Sequence, residues 1–551
     1  MNENKISSAK LFIKCLETEG IKYIFGVPGE ENLALLDAIR ESSIQFIVTR
    51  HEQAAVFMAS TIGRLTGKTG VALSTLGPGA TNLVTGVAYA QLGGMPLLVI
   101  TGQKPIKKSK QGQFQIIDVV RMMEPITKMT TTIISGDKIP SIIREAIRLA
   151  EGERPGAVHI ELPEDIAEEE TEMEPIIPKK LRRPAPDNKA IDEAVKIIEN
   201  AKHPIVLAAA GANRKLIRKQ LQNFIDKTKI PFITTQMGKG VLDESSENYL
   251  GTTALSSGDY AHCALNFADV IIVIGHDITE KPPIIMTPDK HIIIHINFYE
   301  AVVDTIYIPS LEVVGDISNA LWSITEKIKI NENWNFAYFE KLKKYTNEHI
   351  NSKIDSNNFP LIPQRIISDL RNALPRDGIL ALDNGMYKIW VARNFKAYEQ
   401  NTVLLDNALA TMGGGLPSGI AAKLLNKDKK VIVLAGDGGF MMNVADLETV
   451  VRLQLDLVIV IVNDNGYGMI KWKQEDMNFP NFGLSFNNPD FVKLAESFGA
   501  KGIKINNANE LKPAIEKALD NGGVYVIECP VDYSENKTVL GKELQDKICK
   551  L

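Results

Sequence analysis

The chain has 551 residues, 44% of them apolar and 23% charged, an ordinary soluble composition and a length that exceeds one hydrophobic core, so about three domains are expected. With 67 acidic and 62 basic side chains the net charge is -5, which carries no electrostatic footprint for nucleic acid. No run approaches the ~20 apolar residues of a membrane-spanning helix.

The first stretch, MNENKISSAKLFIKCLETEG, lacks an uninterrupted apolar core of signal-peptide length. It reads instead as an amphipathic helix with Ala9, Leu11, Phe12, Cys15 and Leu16 apolar. Cys15, Cys263, Cys529 and Cys549 are scattered, with neither a CxxC pair nor a disulfide framework, the usage of a reducing, cytoplasmic compartment. Gly26-Val27-Pro28-Gly29 is a glycine–proline turn, and IQFIVT after it is a strand. Arg50-His51-Glu52-Gln53-Ala54-Ala55 then enters a helical stretch, where the helix dipole favours a carboxylate whatever else it does. GVALSTL and PLLVITGQ read as strands on either side of a second turn, Leu76-Gly77-Pro78-Gly79-Ala80-Thr81-Asn82.

Two composition shifts divide the chain. Residues 168 to 188 are charged and proline-rich, as a linker would be, and residues 329 to 362 are polar and less regular around NSKIDSNNFPLI. The expected parts are 1–170, 190–328 and 363–551. Strand-like runs recur in the second part (HPIVLAAAGA, ADVIIVIG, HIIIHIN) and in the third (VIVLAGDGG). Alternation of such runs with amphipathic helices is the pattern of α/β domains built on parallel sheets.

The most chemically informative stretch lies near the end. Gly436-Asp437-Gly438 follows the apolar run KVIVLA, 24 residues intervene (439 to 462), and Asn463-Asp464-Asn465 follows LDLVIVIV. The intervening MMNVADLETVVRLQ has helical spacing, with Leu447, Val450, Val451 and Leu453 on one side. Strand, helix and strand form a crossover unit, which sets both motifs at the carboxyl ends of neighbouring parallel strands, where such sheets bind ligands. Asp437 and Asp464 are hard oxygen ligands of the kind Mg²⁺ takes together with phosphate oxygens and water. Gly436, Gly438 and Gly439 let backbone amides approach an anion. The combination describes a metal-bridged diphosphate site.

Gly-Asp-Gly followed at this distance by Asn-Asp-Asn resembles the diphosphate and metal motif of thiamine-diphosphate-dependent enzymes, and the resemblance extends over nearly the whole chain. Its nearest branch is acetolactate synthase (acetohydroxyacid synthase), in the flavin-free catabolic form. The resemblance implies three α/β domains: pyrimidine-binding, central Rossmann-like and diphosphate-binding. It implies thiamine diphosphate and Mg²⁺ as cofactors, with Asp437, Asp464 and the Gly466 carbonyl as metal ligands. Glu52 matches the glutamate that exchanges a proton with the cofactor's aminopyrimidine ring and so activates the thiazolium C2. Pro28, Gly29 and Asn82 fall in the family's two turns of the first domain. Gly385, Met386 and Tyr387 match the loop that meets the diphosphate, and Ala410 and Met412 the segment that wedges an apolar side chain under the cofactor. Tyr467, Gly468 and Met469 complete the cofactor-binding set. Family members pair the first domain of one subunit with the third of another, which implies a homodimer as minimal active unit and a homotetramer as the assembly.

A shared cofactor leaves the reaction open. Once a 2-oxo acid has lost CO₂, the activated acyl group can be protonated, oxidised or trapped by a second oxo acid. Aldehyde-releasing members commonly carry a pair of histidines in the loop that reads KKSKQGQFQIIDVV here, with Phe114 and Gln115 and no histidine. That resembles acetolactate synthases and removes a proton donor, so Phe114 and Gln115 are assigned to the substrate side, with Gln115 also catalytic. Met469 and Ile470 would line the pocket for the acetyl-sized group, and Lys473 stands at the position of the biosynthetic members' tryptophan that favours 2-oxobutyrate, with Trp472 one place earlier. In the central part, Ile274-Gly275-His276-Asp277-Ile278-Thr279-Glu280 lacks the arginines of the flavin-binding members while Met237-Gly238-Lys239-Gly240 persists, and no FAD is expected. Glu30 stands where the family usually has Gly or Ala, and its charge would repel a second pyruvate. Three readings follow: a carboligase making 2-acetolactate from two pyruvates, another thiamine-diphosphate lyase or decarboxylase acting on a different small 2-oxo acid, and a non-catalytic cofactor-binding protein. The first is preferred, with no nucleic acid or membrane partner.

Overall fold

The computed structural model describes residues 5–107, 112–179, 183–213, 215–277 and 279–544. Residues 1–4 of the N-terminal stretch, 108–111 of the loop before Phe114, linker residues 180–182, Ile278 and Cys549 lie outside that set.

Three six-stranded sheets organise the chain, each parallel throughout its ladder. The first has the order Gln45–Val48, Tyr23–Gly26, Gly70–Ser74, Leu97–Gln103, Ala157–Pro163, Met129–Thr132. The third runs Val403–Leu404, Ile379–Leu382, Val431–Gly436, Leu457–Asn463, Val524–Pro530, Lys501–Lys504. Numbered within each sheet in chain order, both read 2-1-3-4-6-5, so the two ends of the chain repeat one topology. The central sheet reads 3-2-1-4-5-6, from Tyr249–Thr252 through Phe232–Thr234, Pro204–Ala208, Val270–Ile274 and Ile292–Asn297 to Leu311–Val314. That is the Rossmann order.

The strands expected from apolar runs are present because sheets covered on both faces need continuous β-branched segments. Val431–Gly436 and Leu457–Asn463 are buried up to their last residues, and each buried Val, Leu or Ile contributes about 1.5–3 kcal/mol. Helices supply the cover through one apolar stripe, as in Ile139–Glu151, which buries Ile139, Ile143, Ala146, Ile147 and Ala150. The N-terminal helix, Ser8–Thr18, buries all five apolar positions named for it.

Three expectations are corrected. The crossover between the two motifs is not one helix: Asp437–Met442 is followed by a tight turn at Val444–Asp446 and a second helix, Leu447–Arg452. The break follows from side chains that bond elsewhere, since Asn443 donates to the Gly413 carbonyl (2.7 Å) and Asp446 accepts from the Arg50 amide (3.1 Å). Within the polar stretch 329–362, residues Ala337–Ile350 form a 14-residue helix, whose buried Phe339 and Leu342 supply the apolar contacts the composition obscured. Cys15 and Cys529 are buried free thiols, but Cys263 is disulfide-bonded, a pairing that spacing alone could not reveal.

By compactness the chain forms two units. One joins residues 1–181 with 408–427 and 443–455; the other joins 182–407, 428–442 and 456–551. In the first, helix Glu52–Thr66 packs on Pro78–Gly93 so closely that a side chain at Gly86 would run into Val56, and it also packs on Gly415–Leu425. In the second, the central and third sheets are tied by a buried two-bond pair, with Arg393 donating to both oxygens of Asp259 at 2.7 and 3.0 Å.

Candidate active site

In sheets of this kind ligands bind outside the carboxyl ends of the strands, at the point where strand order reverses. In the first sheet that point separates Tyr23–Gly26 from Gly70–Ser74, and the two glycine–proline turns emerge there. Gly29 lies against Thr75, where a β-carbon would come within 2.3 Å of the Thr75 Cβ; one on Gly79 would come within 2.9 Å of the Thr75 Cγ2 and 3.3 Å of Glu52 Oε1. Glu52 opens its helix, is 8% exposed, and accepts a hydrogen bond from Asn82 Nδ2 at 2.9 Å. Gly77 has φ +54°, a left-handed conformation that suits glycine, and the Gln115 backbone oxygen stands 2.9 Å from where its Cβ would be. The structure therefore brings Gly29, Glu52, Asn82 and Gln115 into one neighbourhood. Pro28 and Glu30 are exposed beside it, and Phe114 is 65% exposed.

Sequence reasoning passed over Glu31, the neighbour of Glu30. Its carboxylate is buried, bonded by Lys104 Nζ at 2.6 Å and by the Thr75 hydroxyl. Burial alone would raise the Glu31 carboxyl, but Lys104 and Thr75 outweigh it and hold the acid below its ordinary range. Lys104 is thus already matched to Glu31, and Glu30 is the exposed charge at this edge.

The segment with Ala410 and Met412 belongs to the same compact unit as Glu52. Ala410 takes φ +54°, rare for a residue with a side chain, and Met412 is half-buried. Next to it, the Gly413 carbonyl is held by Asn443.

The third sheet repeats the arrangement in the other unit. Its reversal point separates Ile379–Leu382 from Val431–Gly436, so Asp383–Tyr387 and Gly436–Gly439 emerge side by side. The glycines permit this: a β-carbon on Gly436 would press on the Tyr387 ring at 3.0 Å, one on Gly439 would meet the Asp383 carboxylate at 3.0 Å, and one on Gly438 would meet the Tyr467 ring at 2.9 Å. Gly385 lies against the same Tyr387 ring, and Met386 and Tyr387 are buried. From the next strand, Asp464 follows Asn463, and Gly468 leaves room for Asp464 Oδ2, which would sit 2.6 Å from a β-carbon there.

The chemistry of this corner fits a cation. Asp437 is buried and Asp464 half-buried, and the Asp464 carboxyl is pushed up to about 7, first by burial and then by the charge of Asp437. Burial also raises Asp437, against hydrogen bonds from Asn488 and from the Gly438, Asn465 and Gly466 amides. Two crowded carboxylates that resist joint ionisation are what a divalent cation relieves, and oxygen donors suit Mg²⁺.

Asn488 was not legible beforehand. Its side-chain amide lies 2.7 Å from Asp437 Oδ2, 3.1 Å from Asn463 Oδ1 and 3.2 Å from Asn465 Oδ1. The Asn-Pro-Asp context signals only a turn and a helix cap, the latter real, since Asp490 accepts from the Val492 and Lys493 amides. The remaining predicted residues are less enclosed. Met469 is half-buried on helix Gly468–Asp476, a helix with no buried residue; Ile470 is 51% exposed, and Lys473 is exposed with its ammonium over the Trp472 ring at 5.0 Å.

Three family models match in order: the N-terminal TPP binding domain over residues 6–122, the central domain over 191–324 and the C-terminal TPP binding domain over 383–529 of thiamine pyrophosphate enzymes. The chain belongs to the thiamine pyrophosphate (thiamine diphosphate) enzyme family, and it is an enzyme of that class. Within the family it is similar to acetolactate synthases. It is 33% identical to the acetolactate synthase of Bacillus subtilis over 98% of this chain and 96% of that protein. It is 32% identical to the catabolic acetolactate synthase of Raoultella terrigena, over 97% and 96%. It is 34% identical to a probable acetolactate synthase large subunit of Methanocaldococcus jannaschii, over 96% and 93%.

Proposed function

We propose that this enzyme is an acetolactate synthase: it releases CO₂ from one pyruvate and joins the remaining two-carbon unit to a second, taking up one proton to give 2-acetolactate. The observation that carries the reading is the pair of half-sites, Glu52 with Asn82 and Asp437 with Asp464, in a chain similar to acetolactate synthases from end to end. Thiamine diphosphate supplies a nucleophilic carbon that also stores the electron pair left by decarboxylation. The chain's own residues bind, orient and move protons. Glu52 exchanges a proton with the aminopyrimidine ring, and Asn82 keeps its carboxylate turned in the required direction. Asp437, Asp464 and the Gly466 carbonyl would hold Mg²⁺, and the Gly385 and Gly436–Gly439 backbone would meet the diphosphate. In the first unit Pro28, Gly29, Ala410 and Met412, and in the second Met386, Tyr387, Tyr467, Gly468 and Met469, are the residues that would meet the cofactor. Gln115, with no acidic or imidazole proton to offer, would leave the acyl group for carbon–carbon bond formation; Met469 and Ile470 would line the pocket for that acyl group, with Phe114 and Lys473 on the substrate side.

The same reading makes the active unit a homodimer, assembled into a tetramer. Among the described residues no helix is long and apolar enough to cross a membrane. It also leaves the central domain without flavin, because residues 274–280 lack the arginines of the flavin-binding members. The exposed Glu30 favours the second reading, a different 2-oxo acid or acceptor, to the extent that its charge disfavours a second anion. Incubation with pyruvate, thiamine diphosphate and Mg²⁺ followed by NMR of the products tests both. Acetolactate is expected; acetaldehyde or acetate alone, or no turnover of pyruvate, would overturn the carboligase assignment.

A further inference from the structure

We infer that Asn488 is a positioning residue for the cation: it orients Asp437 and the Asn-Asp-Asn turn before the metal arrives. The inference rests on reading Asp437 and Asp464 as metal ligands. Three oxygens from two separate motifs converge on the one Asn488 nitrogen, at 2.7, 3.1 and 3.2 Å. An amide nitrogen carries two protons, so it cross-links the first motif to the second and shares its remaining reach with the third oxygen. The other Asp437 oxygen, Oδ1, accepts from the Gly438 amide at 2.9 Å, so the carboxylate plane is held from both ends.

Asn488 itself is held. Its segment runs back along the second motif, with the Tyr467 amide donating to the Leu484 carbonyl at 3.2 Å and a bridge between Gly466 and Ser485. The Phe486 ring stacks edge-on against Tyr467 with centroids 5.0 Å apart, and on the far side Asp490 caps the next helix. The residue type matters. A lysine or arginine here would neutralise Asp437 and compete with the cation, and an aspartate would add a third negative charge without a donor. An asparagine orients the carboxylate while leaving its charge for the metal.

The test is Mg²⁺ titration of the full-length protein, stripped with chelator and saturated with thiamine diphosphate, followed by tryptophan fluorescence, beside a melting curve of the metal-free protein. Asn488→Ala, and the similarly sized but donor-free Asn488→Leu should the alanine variant not fold, are compared with the parent and with Asp437→Ala. The expected result is a half-saturating Mg²⁺ concentration raised about 10–100-fold, the usual effect of losing a group that orients a ligand, with the metal-free melting curve little changed. A purely structural role would lower the metal-free melting temperature and leave Mg²⁺ affinity intact, and Mg²⁺ affinity within twofold of the parent would overturn the inference. Parental Mg²⁺ binding by Asp437→Ala would instead sink the metal-site reading beneath it.

Discussion

Replacing Glu52 by glutamine separates its chemical role from its structural one. The carboxylate is almost fully buried and accepts a 2.9 Å hydrogen bond from Asn82. Glutamine retains an oxygen that can accept the same bond. Folding therefore loses at most the difference between a charged and a neutral acceptor, on the order of 1 kcal/mol. The proton exchange with the aminopyrimidine ring disappears altogether, and a positioned acid–base group contributes about 10²–10⁴ in rate, or roughly 3–5 kcal/mol of barrier. The two magnitudes are far enough apart to decide the matter. In D₂O, loss of the cofactor's C2 proton, followed by acid quench and NMR, should slow 100- to 10,000-fold in Glu52→Gln, while melting temperature and cofactor affinity stay near those of the parent. An exchange rate within a few-fold of the parent would remove Glu52 from the chemistry and return it to an ordinary buried helix-start carboxylate.

The raised Asp464 gives a pH profile. Its folded-state value, pushed up to about 7, exceeds the ordinary carboxylate range, so without metal the folded state holds a proton that the unfolded state releases. Its contribution to metal-free stability is therefore present below about pH 4 and lost as pH rises through 7. Mg²⁺ needs the ionised form, so affinity should fall about tenfold per unit below pH 7 and level off above, and a flat titration series would contradict the site. Glu30→Gly should raise kcat/KM for pyruvate severalfold, more at low salt than at high salt, if the exposed charge obstructs an anionic acceptor. A loss of activity would give Glu30 a positive role instead. Purified protein should show no yellow flavin absorbance; a stoichiometric band would reverse the reading of the central domain.

The strands, the two glycine–proline turns and the aspartate motifs were readable because each is written in neighbouring residues. A β-branched run such as Leu457–Asn463 can satisfy itself only inside a covered parallel sheet, and a glycine turn after it must emerge at the carboxyl end. The duplication of the first and third sheets was displayed by no local pattern and became visible only in their shared strand order. What escaped notice depends on contacts between distant residues. Asn488 meets Asp437 across 51 residues, Lys104 meets Glu31 across 73, and the crossover helix breaks where Asn443 reaches the Gly413 carbonyl 30 residues away. Likewise residues 408–427 and 443–455, though written between strands of the third sheet, group with the first 181 residues.

The sequence by itself determined which elements form and which side chains carry chemistry, because propensity and apolar period are local properties. Only the tertiary structure decided which donor orients which carboxylate, because that depends on strand order and on loops returning past one another. The Asp437 carboxylate was visible from its motif, and the amide that aims it appeared only when residues 484–488 folded back beside Gly466.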